Sequence, residues 1–412
     1  MIDPLAERPD TRKILQLARS DKRAAEAQLA AMSRAEQVAF VCDAPLATRA
    51  RVLELLDHPE QVIPLIPEAE LCFTVKAVGL VDGSWILEHA TDEQLVAVTD
   101  LDGWRGITPD ADSMGSWLEN YAEAGPETLL RAARAIDAEV WVLYLRERIG
   151  VEFKPNDDEG WQPPEGSTTL DGQVHFWALS KRDDAAAIGS LLQTLFQADY
   201  WLYFRIMQGV VWEMQSDLEE WASRWRTGRL EDLGFPSWDE AMRIYGFVRP
   251  DQRTEVPDEA RALDAAGWDL PVWMPQLPAA HDARHAVFRA AAELDEDERR
   301  SFFYAVVSLA NKLAVADGLP LGDMETLPKA IEKAASLASK GLEFIAEERA
   351  MKLADVVRRV SLERLFRVGA NLDRAAAEKE RLSYAEQLER ALERFENATE
   401  GDASGEPESG SS

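Results

Sequence analysis

SRAEQVAFVCDAPLATRARVLELLDHPEQVIPLIPEAELCFTVKAVGL, residues 33–80, sets the texture of the chain. Apolar residues recur at helical spacing, as in Val52, Leu55 and Leu56 and again in Leu71, Val75 and Val78. Pro45, Pro59, Pro64 and Pro67 punctuate the pattern, because proline is tolerated in a first helical turn and not in a helix interior. Ser33-Arg-Ala-Glu36 reads as a capping box: the serine oxygen accepts an orphan backbone N–H, and the glutamate reaches back. Thr91-Asp-Glu-Gln94 repeats that logic. Units restart near Pro45, Pro67 and Thr91, at spacings of 22 and 24 residues. A two-helix unit this short cannot bury its own apolar face and must stack on neighbours, as solenoid repeats do. The expectation is an all-α protein with a short-helix superhelical repeat domain over residues 33–150.

Working outward, residues 1–32 read as an N-terminal arm and helix. Residues 151–184 form a linker or excursion rich in Pro, Gly and acid. Within it, residues 173–179 alternate imperfectly, as one short strand would. A strand needs a partner, so a small hairpin is the most expected there. A C-terminal helical domain is expected over 185–371, with an irregular Pro-rich stretch at 249–280 and a break at Gly318-Leu-Pro320. Ser216-Asp-Leu-Glu219 and Ser237-Trp-Asp-Glu240 have the form of capping boxes, and Gly228 and Gly234 that of helix stops. Residues 372–398 form an amphipathic helix with Leu382, Ala385, Leu388, Leu392 and Phe395 on one stripe, able to dock on its own domain or on a partner. Residues 399–412 read as a disordered acidic tail.

Composition narrows the function classes. The 412 residues include 75 acidic and 45 basic ones, a formal net charge of −30. Such a surface repels phosphate backbones and anionic membranes, so neither nucleic acid nor a membrane surface is an expected partner. Basic partners or cations fit better, although solubility alone also accounts for the charge. Cys42 and Cys72 are the only cysteines, with no CxxC pair, and read as reduced core residues. The start of the chain lacks the apolar stretch of a signal peptide. The apolar-rich segment from Leu191 to Trp212 is interrupted by Gln193, Gln197, Asp199, Arg205 and Gln208, so no bilayer span and a cytoplasmic location are expected.

Chemistry is sparsely signalled. Phosphate loops, dinucleotide fingerprints, nucleophile elbows, kinase motifs and EF-hand loops are absent. His281-Asp-Ala-Arg-His285 places two histidines at i and i+4, a weak metal-ligand candidate without a fixed third ligand. Two exposed residues at a helix start are the preferred reading. Asp199 falls on an apolar helix face beside Leu195, Phe196, Leu202 and Tyr203. A carboxylate there is costly unless it is paired. Its expected partners are Arg224, Arg226 and Arg229, in a structural ion pair or, as the alternative, a titratable pocket. Of the 13 tryptophans, Trp212, Trp221 and Trp225 cluster, the last two at i, i+4, and such a stripe is expected in the core.

Three groups of residues carry a resemblance. They are Asp199-Tyr200 with the stretch 217–236 (ending RLEDLGFP) and Ala241–Tyr245; Val75–Leu80 with Asp102–Arg105; and Leu365–Gly369. Together they resemble an uncharacterised bacterial family defined only as a domain of unknown function, over about residues 33–369. The N-terminal half is also similar to the helical superhelix at the cytoplasmic end of MgtE-type magnesium transporters, and neither likeness brings functional residues. The expectation is therefore a non-catalytic adaptor or regulatory module with a protein partner and no cofactor. The alternatives are an enzyme with its site near Asp199 and a metal-responsive module. An adaptor predicts an exposed apolar or charged groove; an enzyme predicts a deep pocket of convergent ionisable groups.

Overall fold

The computed structural model describes residues 11–155, 160–180, 184–258, 284–379 and 381. It begins with α1 (Thr11–Ser20), α2 (Lys22–Ala30), α3 (Arg34–Asp43), α4 (Leu46–Leu53), α5 (Glu68–Val78), α6 (Ser84–Glu88) and α7 (Asp92–Asp102). Two of the four expected capping boxes form here. Ser33 starts α3 with Glu36 returning the bond, and Thr91 starts α7 with Gln94. Pro45 and Pro67 stand at the N-caps of α4 and α5. The three restarts are thus real helix starts, but the units between them are unequal, with two 3-10 turns (Pro59–Gln61 and Ile63–Leu65) before α5 and the five-residue α6 after it. A two-residue ribbon of β1 (Trp104–Arg105) and β2 (Thr108–Pro109) then leads to α8 (Ala111–Glu123), α9 (Pro126–Ala135) and α10 (Ala138–Arg146).

The excursion holds more than a hairpin. β5 (Val174–Ala178) is the central strand of an antiparallel sheet between β3 (Ile149–Phe153) and β4 (Thr168–Thr169). The single strand expected from residues 173–179 finds its main partner in residues 149–153, which straddle the expected boundary between helical domain and excursion.

Next come α11 (Ala185–Ala198), α12 (Tyr200–Trp212), α13 (Gln215–Asp232) and α14 (Trp238–Met242). α11 packs on α8 and α9, α12 on α10, and α13 on α7 and α10. One hydrophobic core therefore gathers residues from Ile14 to Phe235, together with Ala314 and Leu321, around the fully buried Trp117, Tyr121, Trp141 and Tyr144, and does not part at residue 184. A second core extends from Ile244 to Val368. It is built from α15 (Ala286–Ala291), α16 (Glu296–Ala316), α17 (Thr326–Arg349), α18 (Leu353–Arg359) and a helix over 362–379, α19. Two serine boxes do not form, since α13 begins at Gln215 behind Met214 and Ser237 makes no side-chain cap bond. Gly228 does not stop α13, which runs on to Asp232. Gly234 does end it, at positive φ, with Phe235 N–H bonded back to the Leu230 carbonyl.

Specific contacts hold the parts together. Arg49 and Glu70 pair inside the first core, and Arg49 also bonds the carbonyls of Cys42 and Ala44, so this buried guanidinium is satisfied on several sides. The Lys76 ammonium reaches Asp102 and the Gly322 carbonyl (2.8 Å), tying α5 and α7 to the α16–α17 loop. In the second core, Gly341 of α17 and Gly369 of α19 face each other. A Cβ on either would overlap a carbonyl of the opposite helix, at Leu365 or Leu337, so only glycine permits this backbone approach.

Candidate functional site

α13 carries the site because it turns its arginines inward. Arg229 clamps Asp100 of α7 through two bonds, Nε to Oδ2 at 2.6 Å and Nη2 to Oδ1 at 3.1 Å. The same Nη2 lies 2.8 Å from Asp137, just before α10. Arg226 donates from Nε to the Asp100 carbonyl oxygen (2.8 Å) and lies over the Trp104 ring, 4.8 Å from its centroid. Burial raises the Asp100 carboxyl above its ordinary range, against the pull of Arg229. Burial also pulls Arg226 down, to about 10, so it stays charged at neutral pH. For Arg229 the hydrogen bonds it donates to Asp100 and Asp137 outweigh desolvation and hold it above its usual value. The two partners move in the same direction because Asp100 is 2% exposed and bears the desolvation cost, whereas Arg229 is 31% exposed.

Above this clamp lies a groove of about 710 Å³. Its apolar lining includes Leu65, Ile66, Val96 and Leu233, with Pro64 and Pro67 beside them. Its charged lining is Glu68, Asp92, Glu93, Asp100 and Asp232, five carboxylates against the single guanidinium of Arg229. Asp92 is paired with Arg131. The Glu93 carboxyl is held below its ordinary range, chiefly by its own backbone N–H and by Thr91. Among the described residues no hydroxyl, thiol, imidazole or amine lines the groove. A general acid needs a raised pKa and access to substrate. Asp100 has the first, but both of its oxygens are taken.

Alongside the inward face of α13 runs a second stripe. Met214, Trp221, Trp225, Gly228 and Asp232 recur at i, i+7, i+11, i+14 and i+18, within a narrow arc of a 3.6-residue helix. Met214 is 66% exposed, Trp221 48% and Trp225 54%. The two indoles stack at 6.5 Å between centroids, and the Arg224 guanidinium lies 5.7 Å from the Trp221 ring centre. The expectation that these tryptophans are core is therefore wrong. α13 buries Leu218, Ala222 and Leu230 instead. Trp212 is also exposed, stacked on Phe153 at 4.5 Å. Gly228 sits in open space, where a Cβ would meet nothing among the described residues beyond its own helix backbone. The stripe ends at Asp232, which lines the groove, so groove and aromatic face share one helix.

The other expected residues lie elsewhere. Asp199 is the N-cap of α12, accepting from Leu202 N–H, and its ion-pair partner is Arg134 of α9 at 2.8 Å. The expected pairing of Asp199 with Arg224, Arg226 or Arg229 does not occur: the carboxylate sits at a helix junction, not on a buried face. His281 lies outside the described residues. His285, just before α15, faces Glu332 at 3.0 Å and packs its ring on Phe288. Among the described residues no group of three or more His, Cys, Asp and Glu could hold a metal ion. Cys42 and Cys72 are buried and not joined in a disulfide, and burial raises the Cys72 thiol. No helix among the described residues is long and apolar enough to cross a membrane.

Sequence reasoning missed Asp100. It could have been found with the test applied to Asp199, because Asp100 stands in a helix buried nearly all round, between Thr99 and Leu101. It also missed a sealed cluster where Asp184 accepts from the Tyr144 hydroxyl (2.8 Å) and lies 2.9 Å from Arg148 Nε. Burial first, and Asp184 second, push the Tyr144 hydroxyl up. This cluster anchors the start of α11 on α10.

The pattern of a family of unknown function, DUF6178, matches residues 26–396. The chain belongs to that family. The DUF6178 match includes the Asp100 clamp, the groove and all of α13. No curated protein and no solved structure matches the chain, so the likeness of the N-terminal half to the MgtE superhelix gains no support.

Proposed function

We propose that this protein is a non-catalytic adaptor or regulatory module of the cytoplasm that docks a protein partner on the aromatic stripe of α13. The observation that carries the reading is the stacked Trp221–Trp225 pair, about half exposed on a helix whose inner face is locked by an Arg–Asp clamp. Large apolar side chains on a solvated stripe add nothing to the core, and exposed apolar stripes mark binding surfaces. Trp and Arg dominate interface hot spots because they desolvate large, rigid surfaces at little entropic cost. Gly228 in open space supports the reading: it weakens its own helix and leaves room for a partner backbone. The groove lining among the described residues offers no hydroxyl, thiol, imidazole or amine, and Asp100, its carboxyl of raised pKa, is closed off by Arg229, which favours binding over group transfer.

The test is affinity purification of the full chain from its host, comparing the parent with the Trp221→Ala/Trp225→Ala variant. A stoichiometric protein partner should co-purify with the parent and be lost from a variant that keeps its thermal transition. An unchanged set of co-purifying chains would sink the proposal.

A further inference from the structure

The groove on α13 has a chemistry of its own, and we infer that it receives a Lys- or Arg-bearing amphipathic segment of the partner. This rests on the adaptor reading and adds the partner's chemistry to it. The volume of about 710 Å³ lies in the range of clefts that hold ligands and anchor side chains. Its walls present two demands at once. Leu65 is exposed at the rim, and Ile66, Val96 and Leu233 continue an apolar floor that only an apolar surface satisfies. Glu68 and Asp232 have no ion-pair partner among the described residues, and Asp92 and Glu93 are exposed beside them. The one cation, Arg229, is spent on Asp100 and Asp137. A segment with an apolar stripe flanked by cations meets both demands; an acidic or purely polar segment meets neither.

The chain itself is a poor occupant. Residues 382–412 contain eight carboxylates and two arginines, and residues 259–283 contain four carboxylates and one arginine. A second copy brings a net charge of −30. All three would place acid against acid. A small polyamine would satisfy the carboxylates but leave the apolar floor bare.

The experiment uses the full chain and three fluorescent synthetic helical peptides of equal length. One has a leucine stripe flanked by lysines, the second the same stripe flanked by glutamates, and the third the lysines with serines replacing the leucines. Anisotropy titrations are run on the parent, on Glu68→Lys/Asp232→Lys, on Leu65→Asp, and on Glu347→Lys/Glu348→Lys, a reversal of equal charge on an exposed turn of α17. The Leu/Lys peptide should bind the parent at least tenfold more tightly than the other two, and more weakly as salt rises. The groove reversal should weaken it at least tenfold and Leu65→Asp several-fold, while the α17 reversal should leave it nearly unchanged.

Equal loss in both reversals would overturn the inference, because the chain would then be acting as a diffuse polyanion. Equal binding of the Lys/Ser peptide, or displacement of the Leu/Lys peptide by spermine at matched charge concentration, would overturn it in favour of a small-cation site. Tighter binding of the Leu/Lys peptide after deletion of residues 382–412 would overturn it in favour of the chain's own tail. The peptide titration on the groove variants and the partner capture on the stripe variant are read separately. Retained peptide binding with an unchanged set of co-purifying proteins would therefore remove the stripe reading alone, and lost groove specificity with partner capture intact would remove this one alone.

Discussion

Removing Arg229 should harm the protein more than removing Asp100, and the difference should depend on pH. In Arg229→Ala the Asp100 carboxyl, 2% exposed, keeps only the neighbouring charge of Arg226. Breaking a buried pair from one side costs about 3–5 kcal/mol. The carboxyl has one escape, which is to protonate. At pH 7 protonating a group of unfolded pKa about 3.9 costs about 4 kcal/mol, at about 1.4 kcal/mol per unit, so the penalty cannot exceed that. At pH 5 the same ceiling is about 1.5 kcal/mol. The sign follows from linkage: the folded pKa of Asp100 is raised, so its penalty is absent below the unfolded pKa and grows as pH rises toward the folded one. In Asp100→Ala, by contrast, Arg229 is 31% exposed and still faces Asp137 at 2.8 Å. The loss there is a pair of charge-assisted bonds, about 1–3 kcal/mol, with little change between pH 5 and 7. Urea denaturation followed by tryptophan fluorescence at both pH values measures all four quantities. An Arg229→Ala deficit that is the same at pH 5 and 7, or smaller than that of Asp100→Ala at pH 7, would refute the reasoning.

Three further outcomes follow from named contacts. Gly341→Ala should lower stability by about 1–3 kcal/mol or more, because its Cβ meets the Leu365 carbonyl and a backbone cannot rotate away; an unchanged melting temperature would mean that α17 and α19 are farther apart. Trp221→Ala/Trp225→Ala should shift unfolding by less than about 1 kcal/mol, where a single core tryptophan would cost about 3–5 kcal/mol, and a core-sized loss would restore the interior reading. Gly228→Ala should stabilise the chain by about 0.5–1 kcal/mol, since alanine is the better helix former and the space is empty, while weakening partner capture. If it destabilises the chain, α13 is strained at that point.

The sequence was most legible where local chemistry decides. The Ser33 and Thr91 boxes and the stops at Gly234 and Gly318 depend on residues within one turn and are realised, whereas the equally local Ser216 and Ser237 boxes and the stop at Gly228 are not. It was least legible where the decision belongs to a residue far along the chain. Val174–Ala178 looks like a lone strand because its partner, Ile149–Phe153, follows directly on the helix that ends at Arg146. Asp199 sits on an apolar helical wheel only if one helix continues through it. The chain instead breaks there into α11 and α12, and the same carboxylate becomes a cap paired with Arg134. The composition of α13 misleads most. A hydrophobicity rule buries Trp221 and Trp225 and exposes Arg226 and Arg229, but Asp100, more than a hundred residues earlier, reverses the assignment.

That reversal bears on function. A helix that had only to close the first core could have placed its tryptophans inward and polar residues outward. Here the inner stripe is Leu218, Ala222 and Leu230 with two arginines, and it is fixed to α7 by directional bonds. The clamp has two mechanical consequences. It holds the rotation of α13 about its axis, which fixes where Trp221 and Trp225 point. It also holds Leu233 and Asp232 at the groove wall, opposite Pro64–Glu68. A binding surface preset in this way loses less conformational entropy when a partner arrives than one carried on a loop. The desolvation cost at Asp100 is therefore best understood as holding an outer face in register, and the aromatic stripe is the part of that face with no role inside the fold.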